Sequence, residues 1–498
     1  MKVLLVYPEF PDTFWSFKHA LKFIKKKSSS PPLGLLTIAA MLPCTTEKRL
    51  VDMNVAPLKD KDIIWADIVF VSAMTVQRKS VHEIIPRIKA LGKPIAAGGP
   101  LFTMEKDAFP EVDHLILSEG EITFPMFLRD LALGKPERVY ETSEFADIRV
   151  TPLPDWDLLD LNKYDSMSVQ YTRGCPFNCD FCNVTALLGH KMRLKSSGQF
   201  IAELDALYQR GWRRNVFVVD DNFIGNKRAL KEDLLPALIE WRKGKKGCLF
   251  ITEASINLAD DDELIDMMVK AGFTQVFIGI ETPDEGSLAE CGKSQNRNRD
   301  LVSNIQKLQH YGLQVMGGFI VGFDSDDESI FRRQVEFIQK SGIVTAMVGL
   351  LQAPTGTALY QRMLREGRLA REDYSGDNVD GETNIVPVME ASRLKDGYRK
   401  VLDGIYSAKA FTERVITFLK TYKPRRHAVT IEFQEVLALF RSIWTLGIKS
   451  PERKYYWKLF FWALFNDPAK FPLAITFSIY GYHFRRVNEL HVTAWFAA

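Results

Sequence analysis

Two successive series of short apolar segments, separated by stretches with helical spacing, constrain the fold of this chain most. In the first series, strand-like runs and amphipathic stretches alternate. This alternation predicts an α/β fold, namely a doubly wound, Rossmann-like parallel sheet with helices on both faces. We predict strands at 3–7, 49–55, 67–73, 94–97 and 114–118, and helices at 33–42 and 81–91.

The loops that follow these predicted strands carry small and polar residues. In a doubly wound sheet, ligands bind at the carboxyl ends of the strands, and glycine there lets a large ligand approach the backbone. The alternative, that these are only turn residues, remains open. No Gly-x-Gly-x-x-Gly sequence follows the first strand, which disfavours a dinucleotide site. The predicted ligand-binding residues are Ser72, Gln77, Gly98, Gly99, Pro100, Glu119 and Glu121.

A proline-bearing stretch at 151–156 separates the two series. The second series predicts a partial (β/α)6 barrel of the TIM type, whose functional residues lie at the carboxyl ends of its strands. We therefore expect an N-terminal domain at 1–140, a linker at 141–165, a barrel at 166–365 and a mainly helical C-terminal domain at 366–498. The predicted barrel strands are 168–171, 216–219, 249–253, 275–280, 315–321 and 346–351, with helices that include 197–209 and 261–269.

Three cysteines, Cys175, Cys179 and Cys182, follow the first predicted barrel strand at a Cys-x3-Cys-x2-Cys spacing. A four-iron cluster usually takes four thiolates, so three of them leave one iron open to a ligand that is not protein. A structural zinc site is the alternative, with His190, Cys248 or Cys291 as the fourth ligand. A disulfide framework is disfavoured because the chain is long and its N-terminal apolar run is too short for a secretory signal.

The cysteine loop, with Phe181 before its last cysteine, resembles that of the radical S-adenosylmethionine (SAM) enzymes. The resemblance implies a 4Fe-4S cluster whose open iron binds SAM and cleaves it to a 5′-deoxyadenosyl radical. Later segments match the family in order, although Asp220-Asp221-Asn222 stands where the family has Gly-Gly-Glu. Taken singly, these segments also fit a solvated loop, a helix cap or packing glycines. The residues implied for SAM are Phe181, Asp220, Asp221, Asn222, Glu281, Gly317 and Ile320.

The N-terminal domain resembles the cobalamin-binding domain of B12-dependent radical SAM enzymes. That resemblance implies cobalamin, as methylcobalamin, at the strand-end residues named above. The Asp-x-His-x-x-Gly sequence of many other B12 proteins is missing, so we do not expect a histidine ligand below the cobalt. A domain that has kept the fold but binds no corrin is the alternative.

The segments at 7–15, 31–36 and 471–486 extend the resemblance to the subgroup that contains the hopanoid carbon methylases. This implies methylation of an unactivated carbon in a hopanoid-like lipid or a protein side chain. It also implies a reductant such as flavodoxin or ferredoxin, and no catalytic residue beyond the cluster-bound SAM. The rivals are a B12-dependent radical SAM cyclase or oxidoreductase and a non-enzymatic iron–sulfur redox protein. A methylthiotransferase is disfavoured because only Cys44 precedes the cysteine loop.

Composition limits partners and location. The net charge of +3 gives no reason to expect nucleic-acid binding. From Ile431 onward, aromatic and basic residues mix in helical patterns, and the uncharged run at 471–482 is too short to span a bilayer. This mixture of aromatic and basic residues fits either peripheral contact with the inner membrane face or an ordinary helical core. An iron–sulfur cluster needs a reducing compartment, so we expect a cytoplasmic protein.

Overall fold

The computed structural model describes residues 1–377, 379–425 and 433–490. Its N-terminal sheet has six parallel strands in the order β2-β1-β3-β4-β5-β6, which confirms the doubly wound prediction. The sixth strand was not predicted because two residues are too few to show a pattern. The elements are β1 (Lys2–Tyr7), α1 (Lys18–Leu21), α2 (Leu33–Met41), β2 (Glu47–Asp52), α3 (Asp60–Trp65), β3 (Ile68–Ser72), α4 (Arg78–Ala90), β4 (Ile95–Gly98), α5 (Pro100–Met104), β5 (His114–Ile116), α6 (Gly120–Ala132) and β6 (Val139–Tyr140).

Strand β1 shows why this sheet is covered on both faces. Val3 and Leu5 pack in one hydrophobic cluster, and Leu4 and Val6 pack in another on the opposite face. Successive side chains of a strand point to opposite faces, so an unbroken apolar run needs a cover on each side. Burying each such side chain contributes roughly 1.5–3 kcal/mol.

The second sheet is open and parallel, in the order β14-β13-β12-β11-β10-β7, which confirms the partial barrel. A short antiparallel pair, β8 with β9, was not predicted and brackets the cysteine loop. The elements are β7 (Ser166–Val169), β8 (Thr172–Arg173), α7 (Val184–Leu188), β9 (Arg193–Leu194), α8 (Ser197–Gln209), β10 (Asn215–Val218), α9 (Lys227–Ala229), α10 (Leu235–Trp241), β11 (Phe250–Glu253), α11 (Asp262–Ala271), β12 (Phe273–Glu281), α12 (Glu285–Glu290), α13 (Leu301–Tyr311), β13 (Gln314–Val321), α14 (Ser329–Ser341), β14 (Ala346–Leu350) and α15 (Ala358–Arg365).

The C-terminal region is helical and covers the free edge of the barrel sheet. Tyr398 and Tyr406 donate hydrogen bonds to the carbonyls of Val348 and Ala346 on β14, at 3.2 and 2.6 Å. Ile431, the predicted start of the helices rich in aromatic and basic residues, lies outside the described residues. None of the described helices is long and apolar enough to cross a membrane. The helices are α16 (Ala391–Tyr406), α17 (Ala408–Thr421), α18 (Phe433–Ser442), α19 (Arg453–Asn466) and α20 (Phe471–Asn488).

The segment at 8–30, between β1 and α2, links all three regions, and we call it the N-terminal segment. The Phe14 ring stacks on Phe484 of α20 at 4.2 Å between ring centroids. Trp15 turns the other way and meets Phe277 of β12 edge-on at 5.4 Å. The N-terminal domain is therefore fixed against both the barrel and the C-terminal helices. The domain boundaries given above remain a prediction.

Candidate active site

The carboxyl ends of the two sheets face a common cavity of about 830 Å³. Such ends collect ligands in both doubly wound and barrel folds. Apolar residues form most of its lining, and few charged side chains reach it. From the N-terminal domain the lining includes Ser72, Gly98, Gly99, Pro100, Glu119 and Glu121, and from the barrel it includes Phe181, Asp221, Glu281, Gly318 and Ile320.

The three cysteines lie on one loop at the barrel side of this cavity, and their thiols are half-buried. Gly174 begins the loop at a φ of 94°, and a side chain there would meet the Lys191 carbonyl at 2.8 Å. The loop is tied down by hydrogen bonds from the Cys175 amide to the Gly189 carbonyl, at 3.2 Å, and from the Asp180 amide to the Cys291 carbonyl, at 3.1 Å. The sequence thus presents three soft thiol ligands on a fixed loop, which fits an iron–sulfur cluster.

The other candidate ligands for a zinc site are not grouped with the three cysteines, although Cys291 lies beside their loop. The thiols of Cys248 and Cys291 are buried and donate to the carbonyls of Trp212 and Leu288. His190 is exposed. Within the described residues, no group of three or more His, Cys, Asp or Glu side chains is arranged to hold a single metal ion. The zinc alternative therefore has no fourth protein ligand in these ranges.

Asp220 and Asp221 follow β10 but face different ways. Asp220 is fully buried, and its carboxylate accepts the amides of Tyr171 and Thr172 at 2.8 and 2.9 Å. Burial raises the pKa of Asp220 to about 7, against the effect of those two amides. Asp221 lines the cavity, and burial raises its pKa to about 6. Asp220 therefore fixes the strand that leads to the cysteines, while Asp221 is the carboxylate that a ligand can reach.

Glu281 lies at the end of β12, where a bulge shifts the register against β13. Its φ is 63°, a left-handed conformation that costs an ordinary residue free energy. Asn296 holds the bulge by donating to the carbonyls of Gly279 and Ile280, both at 3.0 Å. The bulge aims the Glu281 carboxylate at Lys293, at 2.6 Å, beside the cavity.

Sequence reasoning missed Lys293 and Glu253, two titratable groups at the barrel side of the cavity, which we call the barrel rim. Burial acts to lower the pKa of Lys293, but the charges of Glu281 and Cys179 outweigh it and raise that pKa. Lys293 thus supplies positive charge beside a loop that becomes anionic when its thiols ionise. Glu253 ends β11, and no hydrogen bond to its carboxylate is seen among the described residues. Burial, then the charges of Asp221 and Asp220, raise its pKa to about 8.

Of the other residues predicted to bind SAM, two line the cavity and two are buried behind its surface. Phe181 and Ile320 line the cavity. Asn222 is buried behind it and accepts the Ser255 amide at 3.3 Å. Gly317 is also buried, and its neighbour Gly318 takes the lining position.

Gly98 and Gly99 of the N-terminal domain are required by the backbone itself. A side chain at Gly98 would lie 2.6 Å from the Ile116 carbonyl, and Gly99 has a φ of 94°. Gln77 does not line the cavity, because its side chain is buried and bonds to the backbone of Pro8 and Met74. This rim therefore presents mostly backbone and apolar surface.

Glu119 and Glu121 line the cavity, but their carboxylates are bound by arginines that flank the cysteine loop. Arg193 holds Glu119 with both terminal nitrogens at 2.6 Å, and Arg173 holds Glu121 at 2.7 and 2.9 Å. Burial would raise the pKa of Glu121, but the hydrogen bonds and charge of Arg173 lower it to about 2. These ion pairs join the N-terminal domain to β8 and β9.

The N-terminal side of the cavity is open next to α2. Gly34, at the start of α2, lines the cavity, and a side chain there would meet nothing within 4 Å. Around it lie the apolar side chains of α2 and the ends of β3, β4 and β5. No histidine is among the described residues that line the cavity. The space fits cobalamin held by shape and backbone contacts.

Three family models match successive parts of the chain. The B12 binding domain model matches residues 23–128, and the radical SAM superfamily model matches residues 169–338. A domain of unknown function, DUF4070, matches residues 357–494.

Similar proteins cover nearly the whole chain. An uncharacterized methyltransferase of Synechocystis sp. is 41% identical over 98% of this chain and 92% of its own length. The hopanoid C-2 methylase of Rhodopseudomonas palustris is 33% identical over 92% of this chain and 88% of its own length.

Solved structures share the fold. The cobalamin-dependent SAM radical enzyme OxsB, with aqua-cobalamin and SAM bound, is 14% identical and aligns with a TM-score of 0.63 over 100% of this chain and 80% of its own. The radical SAM methyltransferase TsrM of Kitasatospora setae, with cobalamin and a [4Fe-4S] cluster bound, is 13% identical and gives a TM-score of 0.59 over 98% and 99%. At such identities the likeness concerns the fold alone, and it agrees with the two facing sheets described above.

Proposed function

The chain belongs to the cobalamin-dependent radical SAM methyltransferases, and from this premise we propose that it methylates an unactivated carbon of a hopanoid-like polycyclic lipid. Membership confirms the predicted cofactors, which are a 4Fe-4S cluster, SAM and cobalamin. When bound, these groups supply the radical that removes a hydrogen atom and the methyl group that replaces it. The non-enzymatic redox protein is thereby excluded.

The arrangement of the rim residues supports a role for each. We propose that Cys175, Cys179 and Cys182 hold the cluster and that Phe181, Asp221, Glu281 and Ile320 bind SAM. Asp220, Asn222 and Gly317 then support the SAM site from behind. In the N-terminal domain, Ser72, Gly98, Gly99 and Pro100 contact cobalamin, while Gln77, Glu119 and Glu121 fix the loops around it.

The single observation that carries the proposal is the shared cavity. Both predicted cofactor sites open into it, so a substrate carbon between them is accessible from both sides. Its lining is mainly apolar, which suits a hydrocarbon substrate because burial of apolar surface drives binding. The extended similarity to a hopanoid methylase favours a lipid over a protein side chain.

Turnover of the reconstituted enzyme tests this proposal. With methyl-labelled SAM, a low-potential reductant and a hopanoid hydrocarbon, we expect a lipid that carries the label. The overall reaction consumes one lipid, two SAM and two electrons, and it yields one methylated lipid, one 5′-deoxyadenosine, one methionine and one S-adenosylhomocysteine. Liquid chromatography with mass spectrometry measures each product.

The possible outcomes separate this proposal from its rivals. An oxidised or cyclised product without label, formed together with 5′-deoxyadenosine, would indicate the cyclase or oxidoreductase. Label that appears in protein and not in lipid would indicate a side-chain substrate. Asp221→Asn and the buried Asp220→Asn form a matched pair: we expect the first to weaken SAM binding and the second to weaken folding.

Two further features of the proposal concern partners and location. Radical SAM enzymes need a reductant, and we propose that flavodoxin or ferredoxin serves this chain in the cytoplasm. We also propose peripheral contact with the inner membrane face through α18 and α19. An apolar stripe on the first of these comprises Phe433, which is 73% exposed, Val436 and Phe440; Phe461 and Phe465, which is 77% exposed, form a second on α19.

Basic residues at the start of α19 suit an anionic bilayer. Exposed aromatic side chains enter the interface while lysine and arginine contact lipid headgroups. We expect the protein to sediment with phosphatidylglycerol vesicles and less with phosphatidylcholine vesicles. Phe440→Ser should weaken this binding, whereas Leu133→Ser, at an equally exposed site on the N-terminal domain, should not. Equal effects of the two substitutions would argue against contact through α18. The basic residues are Lys449, Arg453, Lys454 and Lys458.

A further inference from the structure

A second cavity, of about 240 Å³, lies between the N-terminal segment and the barrel, and we call it the side cavity. Four aromatic side chains form one part of its lining, and polar residues around 27–30 form another. The lining includes Tyr7, Phe10, Phe14, Trp15, Lys27, Ser29, Ser30 and Met347.

The side cavity adjoins the common cavity between the two sheets, which we call the central cavity. Val76, Met347 and Gly376 line both. Between the two cavities lies Trp15, whose indole N–H donates to the Met347 sulfur at 2.9 Å and whose ring meets Phe277 edge-on. A thioether is a weak acceptor on a flexible side chain. The Trp15 ring and the Met347 thioether therefore form part of the boundary between the two cavities.

The polar part of the side cavity offers hydrogen-bonding groups that the protein leaves unused. The hydroxyls of Tyr7, Ser29 and Ser30 have no hydrogen-bond partner among the described residues. In the same part of the chain the Lys27 ammonium forms no ion pair with a described residue. Ser29 is held in place through its carbonyl, which accepts from the Ser166 amide at 2.8 Å, so its side chain can serve a ligand.

We infer that the side cavity binds the outer, polar end of the lipid substrate, beside Trp15 and Met347 at the boundary with the central cavity. This inference rests on the proposed function, because it extends the same substrate out of the central cavity. The aromatic rings cover an apolar segment, and the free hydroxyls and Lys27 bind its hydroxyl terminus. An apolar cavity of about 150 Å³ holds one benzene ring, so this volume has room for roughly ten carbon atoms.

A binding experiment on the cobalamin- and cluster-loaded enzyme tests this site without turnover. The probe is ω-bromodecanol, whose bromine quenches tryptophan fluorescence on contact and whose hydroxyl matches the polar end. We expect saturable quenching of the tryptophan fluorescence in wild type. In Trp15→Phe the part of this quenching that comes from Trp15 should be lost. Ser29→Phe, which fills the side cavity, should weaken binding about tenfold or more. Ser392→Phe, at an exposed site on α16, is the matched control and should bind as wild type does.

A more conservative variant tests the same site without a change of shape that could disturb folding. Tyr7→Phe removes one hydroxyl and leaves the shape unchanged. It should weaken ω-bromodecanol binding about fivefold but leave ω-bromodecane binding unchanged. Equal quenching of wild type and Trp15→Phe, or no effect of either Ser29→Phe or Tyr7→Phe, would overturn the inference.

Turnover separates this inference from the proposed function. With a hopanoid that bears a terminal hydroxyl, Ser29→Phe should form methylated lipid at least about tenfold more slowly than wild type. Its 5′-deoxyadenosine formation without lipid should be unchanged. Equal methylation by wild type and Ser29→Phe would contradict the side cavity alone. If no hopanoid is methylated by wild type, the proposed function fails, and the bromodecanol experiment still decides whether the side cavity binds an amphipathic chain.

Discussion

The two rims of the central cavity are built on opposite principles. On the N-terminal rim the charged groups are already paired, with Glu119 and Glu121 bound to arginines and the rest of the surface apolar or backbone. On the barrel rim Asp221 and Glu253 form no ion pair with a described residue, and Lys293 pairs with Glu281 beside the cysteine loop. The first rim suits a large ligand held by shape, and the second suits a cationic ligand and a cluster held by charge.

Loss of a cluster thiol gives the largest expected effect and acts on the barrel rim alone. Cys179→Ala leaves two thiolates, too few to hold the cluster. We expect the bound iron, the visible absorption and 5′-deoxyadenosine formation to be lost, while cobalamin is still retained on gel filtration. Cys44→Ala, at an exposed site before the loop, is the control. Wild-type turnover by Cys179→Ala would refute the cluster assignment.

The ion pairs that join the two rims give the next largest effect. Arg193→Ala leaves the Glu119 carboxylate, whose side chain is 4% exposed, without its main partner. Breaking a buried pair typically costs about 3 kcal/mol or more of the free energy of unfolding. Urea unfolding should show this loss. Arg149→Ala removes an equally close but exposed partner of Asp147 and should leave stability unchanged. Similar stabilities for the two variants would mean that the rims are not coupled through this pair.

A buried carboxyl group of the barrel rim, Glu253, predicts a pH dependence of stability. The pKa of Glu253 is raised from 4.5 to about 8, so the folded protein keeps a proton that the unfolded chain releases. Wild type must therefore lose stability as the pH rises through this window. Glu253→Gln removes that loss. In urea unfolding, the free energy of unfolding of Glu253→Gln relative to that of wild type should therefore grow from acid pH up to about 8. Glu111→Gln, at an exposed site, should follow wild type. A constant difference between Glu253→Gln and wild type would contradict the raised pKa.

The smallest expected effect concerns shape on the N-terminal rim. Gly34→Ala adds a methyl group in open space, so folding should be unaffected, but the methyl group occupies volume that cobalamin needs. We expect cobalamin affinity to fall about fivefold, measured by absorbance titration. Gly198→Ala, also with nothing nearby but away from the cavity, should bind cobalamin normally. An unchanged affinity in Gly34→Ala would place the corrin elsewhere.

The same contrast shows what the sequence could predict. The strand positions and the cysteine loop follow from local patterns, because apolar runs and ligand spacing are properties of neighbouring residues. The partner of a carboxylate is not local: Glu119 meets Arg193 across 74 residues, and Tyr171 and Thr172 lie 48 or more residues from Asp220. Residue type alone therefore could not separate Asp221, which faces the cavity, from Asp220, which supports its wall.

Lys293 and Glu253 were missed for a related reason. Neither lies in a motif, and each becomes conspicuous only through the charges that the fold brings around it. The side cavity could not be predicted from the sequence either, because its lining joins the N-terminal segment to β14 across more than 300 residues.

The central claim is that one cavity between the two sheets brings cluster-bound SAM and cobalamin to the same substrate. Electron paramagnetic resonance of the enzyme with its reduced cluster and cob(II)alamin both present tests this most directly. The account predicts a spectrum in which the two spins are coupled, and a loss of that coupling in Cys179→Ala. A spectrum equal to the sum of the two separate signals would contradict the shared cavity.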